Sequence, residues 1–252
     1  MPTPPARVHP RFLAPELDPA APTAHLPADE SRHLTRVLRL GVGAFVSVFD
    51  GRGHECLATV AEAHDTRVTL TIVEPIAPVA EPGVSLTLMI AVLKGAAMDD
   101  VVRDATMMGA ARIRPVLTEH VAVKPSVAMR AENVDRWKRV AIAAAKQSRR
   151  ATIPEVAAPV TFDAAMSLDD PGLRLMFVEP SARQETRSVR SLLGQRAPSR
   201  VTLLVGPEGG WAAEEIDLAT ARGALPVSLG SMTLRADAMP IAAIAIVRLL
   251  WE

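Results

Sequence analysis

The sequence predicts an α/β protein in two parts, a small β-barrel followed by a larger domain with a mostly parallel sheet. In residues 45–73, short apolar segments alternate with turn signals at hairpin spacing, which is typical of a small barrel. After a proline-rich stretch, apolar segments alternate with amphipathic helical segments, which is typical of a parallel sheet covered by helices. We predict a barrel domain over 1–76, a linker over 77–83 and an α/β domain over 84–252.

The elements follow from local patterns taken in order. Turn residues Asp50-Gly51-Arg52-Gly53 separate the first two barrel strands. Beyond the linker, an amphipathic helix is marked by Ala97, Val101 and Ala105 and ends near Gly109. Basic residues mark another helix over 130–150, with Trp137 on its inner face. The predicted strands are Phe45–Phe49, Cys56–Val60, Arg67–Val73, Val84–Leu93, Leu173–Val178 and Val201–Val205.

A glycine-rich turn follows the last of these strands. Val205 runs into Gly206-Pro207-Glu208-Gly209-Gly210, and a helix opens at about Ala213. In an open α/β sheet, this geometry places a small ligand at the carboxyl end of the strand. The turn lacks the lysine of a P-loop and the glycine spacing of a dinucleotide fingerprint. Because the Glu208 carboxylate would repel a phosphate, the turn favours a neutral or cationic ligand.

A second strand-to-loop transition comes close behind the first. Residues 225–230 predict a short strand, 231–237 the turn after it, and Ala238–Trp251 an apolar helix. Pro240 falls in the first turn of that helix, where a missing N–H costs nothing. We expect the two glycine loops to clasp one ligand from two sides.

Composition limits the class of protein. The chain has 252 residues, 49% of them hydrophobic, and a single cysteine, so it has a sizeable core and no internal disulfide. The proline-rich first ten residues lack the apolar run of a signal peptide. No apolar run is long enough to cross a membrane. We expect a cytoplasmic protein with no membrane contact.

The two loops carry a family resemblance. Leu-Val-Gly-Pro-Glu-Gly-Gly (204–210, beginning at Leu204) and Leu-Gly-Ser-Met-Thr-Leu-Arg (229–235) closely resemble the SPOUT class of RNA methyltransferases, and within it the RsmE family. His33–Leu40, Lys94-Gly95, Thr118-Glu119 and Ala143–Ser148 resemble further blocks of that family, so the match covers nearly the whole chain.

The resemblance implies methylation of N3 of a uridine in 16S ribosomal RNA of the small ribosomal subunit. It also implies S-adenosylmethionine as cofactor, a C-terminal trefoil knot, a PUA-like N-terminal barrel and a homodimer. On this basis the expected cofactor-binding residues are Val205, Gly206, Glu208, Gly209, Gly210, Leu229, Gly230, Met232 and Leu234.

Three departures from the family pattern stand out. Ala236-Asp237-Ala238 replaces the usual Thr-Glu-Thr, and Met239-Pro240 stands where small residues are usual. Arg149 replaces a glycine that the family normally has between Ser148 and Arg150. The cofactor loops themselves are intact.

Three basic clusters predict contact with RNA phosphates despite a formal net charge of zero. Each cluster alone is most simply a solvated face, but three beside a methyltransferase-like site favour RNA. The spacing of Arg32, Arg36 and Arg39 places them on one helical face. With Lys94, taken from the resemblance, the expected RNA-binding residues are Arg7, Arg11, Arg32, Arg36, Arg39, Lys94, Arg149 and Arg150.

The residue types present in the chain limit which atom of the acceptor can be methylated. No histidine is expected near the glycine loops, tyrosine is absent, and no metal-ligand spacing occurs. The lone thiol, Cys56, lies in the barrel as core filling, so no cysteine nucleophile is available for methylation at a pyrimidine carbon. The chain therefore favours methylation of nitrogen or oxygen.

Arg235 is the expected catalytic residue. It follows the second loop, and for a uridine N3 acceptor it would stabilise negative charge that develops on the ring oxygens. Pairing with Glu208 or Asp237 is the structural alternative for this side chain. Two other functions stay open at this point: a ribose 2′-O-methyltransferase of the same class, and a non-catalytic RNA-binding protein of ribosome assembly.

Overall fold

The chain forms two compact units. The structure, a computed structural model, describes residues 9–168, 171–179 and 186–251. One unit comprises residues up to 80 together with 145–153, and the other comprises 81–144 together with 154 onward. The segment 145–153, which the sequence placed in the second domain, thus groups with the first unit. Arg7 lies outside the described residues.

The first unit is built on a five-stranded sheet in the order β1-β3-β4-β5-β2. Only the β1–β3 pair is parallel among these strands. Alternate residues of β4 point into the core, so Cys56, Ala58 and Val60 are buried, as the period of a strand requires. The three predicted barrel strands are confirmed. The elements are β1 (Arg11–Leu13), β2 (Thr23–His25), α1 (Ala28–Arg32), a π-helical turn (His33–Val37), β3 (Phe45–Phe49), β4 (Glu55–His64) and β5 (Arg67–Ile76).

The prediction that Arg32, Arg36 and Arg39 share one helical face is wrong. The α-helix α1 ends at Arg32 and widens into the π-helical turn, where the Leu38 N–H bonds to the His33 carbonyl. A wider turn shifts the angular position of every later residue. Arg39 then leaves the helix altogether, with a left-handed φ of 53°.

The second unit is an α/β domain around a parallel sheet, as predicted. The strand path is β11-β13-β10-β12-β6-β7-β8, with β9 also on β7, and every described pair is parallel. Its elements are β6 (Ser85–Ala91), α2 (Ala97–Met107), β7 (Arg112–Leu117), α3 (Pro125–Ala128), α4 (Ala131–Ser148), β8 (Glu155–Val156), β9 (Val160–Thr161), α5 (Phe162–Met166), β10 (Leu173–Phe177), β11 (Arg187–Ser188), a 3₁₀ turn (Val189–Leu192), β12 (Arg200–Val205), α6 (Ala213–Ala221), β13 (Ala224–Ser228) and α7 (Met239–Trp251).

The central strands of this sheet are apolar throughout because both of their faces are covered. All but the first residue of β6 and of β12 are buried. Trp137, predicted to face inward from α4, is 2% exposed. In the part of the chain that the structure describes, no helix combines the length and apolar character needed to cross a bilayer.

The side chain of Arg248 attaches the last helix, α7, to the segments before β6 and after α2. The Arg248 guanidinium donates to the carbonyl oxygens of Val84, Met108 and Gly109, the last at 2.8 Å. Ala243, Ile244 and Val247 are buried against the domain. Because Leu249 on the same helix is 83% exposed, part of its apolar surface is left uncovered.

Candidate functional site

A cavity of about 390 Å³ lies at the carboxyl end of the parallel sheet. The segments that follow β10, β12 and β13 all contribute to its wall. In parallel sheets the loops at this edge converge, which is where ligands bind in open α/β domains. The glycine turn and the second loop therefore meet at one cavity, as the sequence predicted.

The cavity wall includes part of the expected cofactor set. Arg235, the expected catalytic residue, also lines it. The expected cofactor residues on the wall are Val205, Gly206, Glu208, Gly210 and Leu234, whereas Gly209, Leu229, Gly230 and Met232 are not among the lining residues. Met232 is 82% exposed.

Trp211 fixes the shape of the glycine turn by packing. Its indole Nε1 donates a 2.9 Å hydrogen bond to the carbonyl of Phe177, and its ring lies 5.2 Å from that of Phe162. A Cβ on Gly206 would lie 3.0 Å from the indole, which is tighter than an ordinary contact, so a side chain here would press against the ring. Trp211 thus joins the turn after β12 to the end of β10.

Gly209 has a different neighbour from the expected one. A Cβ on Gly209 would meet Cβ of His120 at 2.8 Å, and it would point away from the cavity lining. The His120 Nδ1 lies 3.2 Å from the Gly210 carbonyl oxygen. The expectation that no histidine lies near the glycine loops is therefore wrong. His120 follows β7, and the ends of parallel strands share an edge although the residues are far apart in sequence.

Glu215, in the first turn of α6, connects the same two loops. One of its carboxylate oxygens accepts from the backbone N–H of Ala212 at 3.0 Å, and the other from that of Glu119 at 2.9 Å. A carboxylate at this position satisfies open backbone donors at the start of a helix. Glu215 was not singled out from the sequence, although its place three residues after Ala212 is the spacing of a capping box.

Among the described residues, the charges around the cavity are mainly acidic. Glu179, Glu208 and Asp237 line it, and Arg235 is the one arginine in this part of the wall. The Arg235 Nε lies 3.1 Å from an Asp237 oxygen, and the arginine side chain is 85% exposed. This balance favours a ligand that carries a positive charge.

Sequence reasoning missed several residues of the wall. The missed residues lie at the end of β10, in the glycine turn, on either side of Arg235 and at the starts of α2 and α7: Phe177, Val178, Glu179, Pro207, Trp211, Thr233, Ala236, Asp237, Met239 and Ala97. A partial signal for Phe177 and Val178 was present, because a strand ending at Val178 was predicted, although its place beside β12 was not.

The expected RNA-binding residues divide by exposure. Arg32, Arg39, Lys94 and Arg149 are exposed. Arg36 is also exposed, and its guanidinium pairs with the Asp65 carboxylate and lowers the pKa of that carboxyl. In contrast, Arg11 and Arg150 have little or no access to solvent.

Cys56 cannot act as a nucleophile because of where its side chain lies. The residue is fully buried in the core of the first unit. Burial raises the pKa of the Cys56 thiol, with a smaller contribution from the charge of Glu55. A buried thiol with a raised pKa is inert, which confirms the prediction of core filling.

Comparison with known proteins agrees with this geometry. A family model for an RNA methyltransferase domain matches residues 80–248, and one for an RNA methyltransferase PUA domain matches residues 26–73. The ribosomal RNA small subunit methyltransferase E of Synechocystis is 36% identical over 91% of this chain and 74% of its own length. The chain belongs to the ribosomal RNA small subunit methyltransferase E family.

Two solved structures of similar proteins share the fold. A methyltransferase E from Neisseria gonorrhoeae, bound to S-adenosyl methionine, is 30% identical with a TM-score of 0.83, covering 96% of this chain and 98% of its own. A putative methyltransferase from Legionella pneumophila, in complex with the cofactor SAM, is 27% identical with a TM-score of 0.84, covering 97% and 98%.

Proposed function

We propose that this chain transfers a methyl group from S-adenosylmethionine to N3 of a uridine in 16S ribosomal RNA. The observation that carries the proposal is the acidic cavity at the ends of β10 and β12, in a chain of the methyltransferase E family. Similar proteins hold S-adenosyl methionine.

The residues of the cavity fit this cofactor. Phe177, Val178 and Leu234 offer an apolar surface of the kind that suits an adenine ring. Glu179, Glu208 and Asp237 supply negative charge that favours a sulfonium cation. The volume of about 390 Å³ lies within the range of cavities that hold small cofactors.

The reaction requires the protein mainly to position the acceptor against the methyl group and to stabilise the charge that develops. The bound cofactor supplies an activated methyl group, and in-line placement of the acceptor provides much of the acceleration. At uridine N3 the imide proton must also leave, so negative charge builds on the ring oxygens. The guanidinium of Arg235, at the cavity wall, would stabilise that charge as an oxyanion donor does.

We also propose a division of labour and an assembly state. The first unit would bind RNA through its exposed arginines, and the second would hold the cofactor. A homodimer is supported by the exposed apolar residues of α7, Leu249 and Ile241, which a partner would cover. A cytoplasmic location follows from the substrate, since ribosome assembly takes place there. Light scattering at micromolar concentration tests the dimer.

One experiment tests the reaction and separates it from the alternatives. Small subunits from cells lacking this protein are incubated with purified protein and S-adenosylmethionine, and their nucleosides are then analysed by mass spectrometry. We expect N3-methyluridine and an equal amount of S-adenosylhomocysteine. A 2′-O-methylated nucleoside would assign the reaction to ribose. Binding of cofactor and RNA with no methylated product would contradict a catalytic function.

A further inference from the structure

A second cavity, of about 340 Å³, lies in the first unit. Leu57, Ile76 and Val79 give it apolar walls, and His9 and Arg149 add cationic or polar groups. The His9 ring lies 5.8 Å from that of Phe45, which is 49% exposed and extends the aromatic surface. The cavity involves none of the residues of the cofactor site.

The charged groups deepest in this cavity are already paired. Arg11 and Glu55 form an ion pair at 2.8 Å, and each side chain is 9% exposed. The Arg11 guanidinium lies 4.5 Å above the Phe49 ring. It also donates to the carbonyl oxygens of residues 145, 146 and 150. Arg11 therefore has a structural role, and its hydrogen bonds fix the backbone around Arg149.

Arg149 has an unfavourable backbone conformation. Its φ is 62°, in the left-handed region, just after the end of α4 at Ser148. Glycine is the usual residue at this position of a helix end because it has no Cβ to clash. An exposed arginine at a position where glycine would be less strained motivates the hypothesis that its side chain has a function in binding.

We propose that this cavity binds one unpaired nucleotide of the RNA substrate, outside the methylation site. The apolar walls and the His9 ring would take the base, because every base has an uncharged face that stacks on such surfaces. The Arg149 guanidinium would take the adjoining phosphate. Glu74, which also lines the cavity, would repel a phosphate and so direct it to the Arg149 side. This inference rests on the proposed function only in taking RNA as the substrate.

The test is a substitution that improves the fold and impairs binding. In Arg149→Gly the backbone strain is relieved, so we expect a melting temperature about 2–4 °C higher. Affinity for 16S ribosomal RNA should fall about 5- to 20-fold, and the slope of log K against log salt should decrease by about 1. Arg149→Lys keeps the charge and should keep most of the affinity. Arg222→Gln, at the exposed end of α6, removes the same charge and serves as the matched control.

Ultraviolet crosslinking of the wild-type protein to the same RNA locates the base. We expect a crosslinked nucleotide on peptides that contain His9, Leu57 or Val79, and loss of that crosslink in Arg149→Gly. Unchanged RNA affinity in Arg149→Gly, or an equal loss in Arg222→Gln, would overturn the proposal. Because RNA binding is measured without methyl transfer, failure here is distinct from failure to form N3-methyluridine.

Discussion

The indole N–H of Trp211 donates to the main-chain carbonyl of Phe177 at 2.9 Å, and this bond joins two strand ends at the cavity. Trp211 closes the glycine turn after β12, whereas Phe177 is the last residue of β10. Both residues line the cavity, so the bond sets the distance between two of its walls.

Trp211→Phe should weaken cofactor binding more than it weakens the fold. The phenyl ring keeps the packing on Phe162 but leaves the Phe177 carbonyl without its donor, at a cost of about 1 kcal/mol in unfolding free energy. We expect the Kd for S-adenosylmethionine, measured by calorimetry, to rise about 3- to 10-fold. Trp137→Phe is the control, because the Trp137 Nε1 has no hydrogen-bond partner among the described residues. Equal Kd values for the two variants would contradict a role of this bond in the site.

Gly210→Ala should impair cofactor binding through the left-handed backbone of the turn. Gly210 has a φ of 73°, and an added Cβ would lie 3.8 Å from the Glu179 carboxylate at the cavity wall. Gly223→Ala provides a matched control, with a φ of 81° and open space around the new Cβ. Each variant should lose about 1 kcal/mol of stability from backbone strain. Only Gly210→Ala should lower cofactor affinity; an equal loss in Gly223→Ala would mean that strain alone explains it.

Gly209→Ala should act through His120. The added methyl group would meet the His120 Cβ at 2.8 Å, so the loop after β7 must move away from the glycine turn. We expect weaker cofactor binding, and partial recovery when His120→Gly removes the opposing Cβ. Recovery is only partial because the His120 carbonyl oxygen also lies at 3.2 Å. Additive losses in the double variant would show that the two residues act independently.

The contrast between Gly209 and Gly210 shows what the sequence could predict. Strand-then-glycine patterns predicted the fold class and the edge of the sheet at which the cavity lies, because those depend on local periodicity. They could not predict that a Cβ on Gly209 would meet His120 after β7, whereas a Cβ on Gly210 would face Glu179 after β10. Likewise, the sequence alone predicts that Arg11, as a basic residue, contacts RNA. Its structural role is visible only from its long-range hydrogen bonds to residues 145, 146 and 150.

Asp50 should stabilise the first unit above pH 4 and lose that effect in acid. Burial acts to raise the pKa of Asp50, but hydrogen bonds from His54 and from the backbone N–H groups of Arg52 and His54 outweigh it, so the pKa is lowered. A lowered pKa gives stability that is present above the unfolded value, about 3.9, and is lost as the pH falls through the folded value.

Asp50→Asn should therefore lower the melting temperature at pH 7 and flatten its decline between pH 5 and pH 3. Asp18→Asn is the control, since the Asp18 carboxylate accepts a single exposed backbone N–H, from Ala20. Thermal unfolding by circular dichroism measures both. If the melting temperature of Asp50→Asn falls between pH 5 and pH 3 as steeply as that of the wild type, other carboxylates cause the pH dependence.

Arg235→Ala should reduce turnover while leaving cofactor binding nearly unchanged. Arg235 is 85% exposed and pairs only with its neighbour Asp237 among the described residues, so its removal should not disturb the fold. Loss of a donor to a developing oxyanion costs about 10²- to 10³-fold in kcat. The Kd for S-adenosylmethionine should change less than about 3-fold, since the acidic residues of the cavity remain.

The loss in kcat caused by Arg235→Ala should become smaller as the pH is raised. A uridine imide that has already lost its proton needs less charge stabilisation from the guanidinium. Single-turnover methylation of small subunits, followed from pH 7 to pH 9.5, measures this. A deficit that stays constant across that range, or an equal rise in the cofactor Kd, would assign Arg235 to binding and not to charge stabilisation.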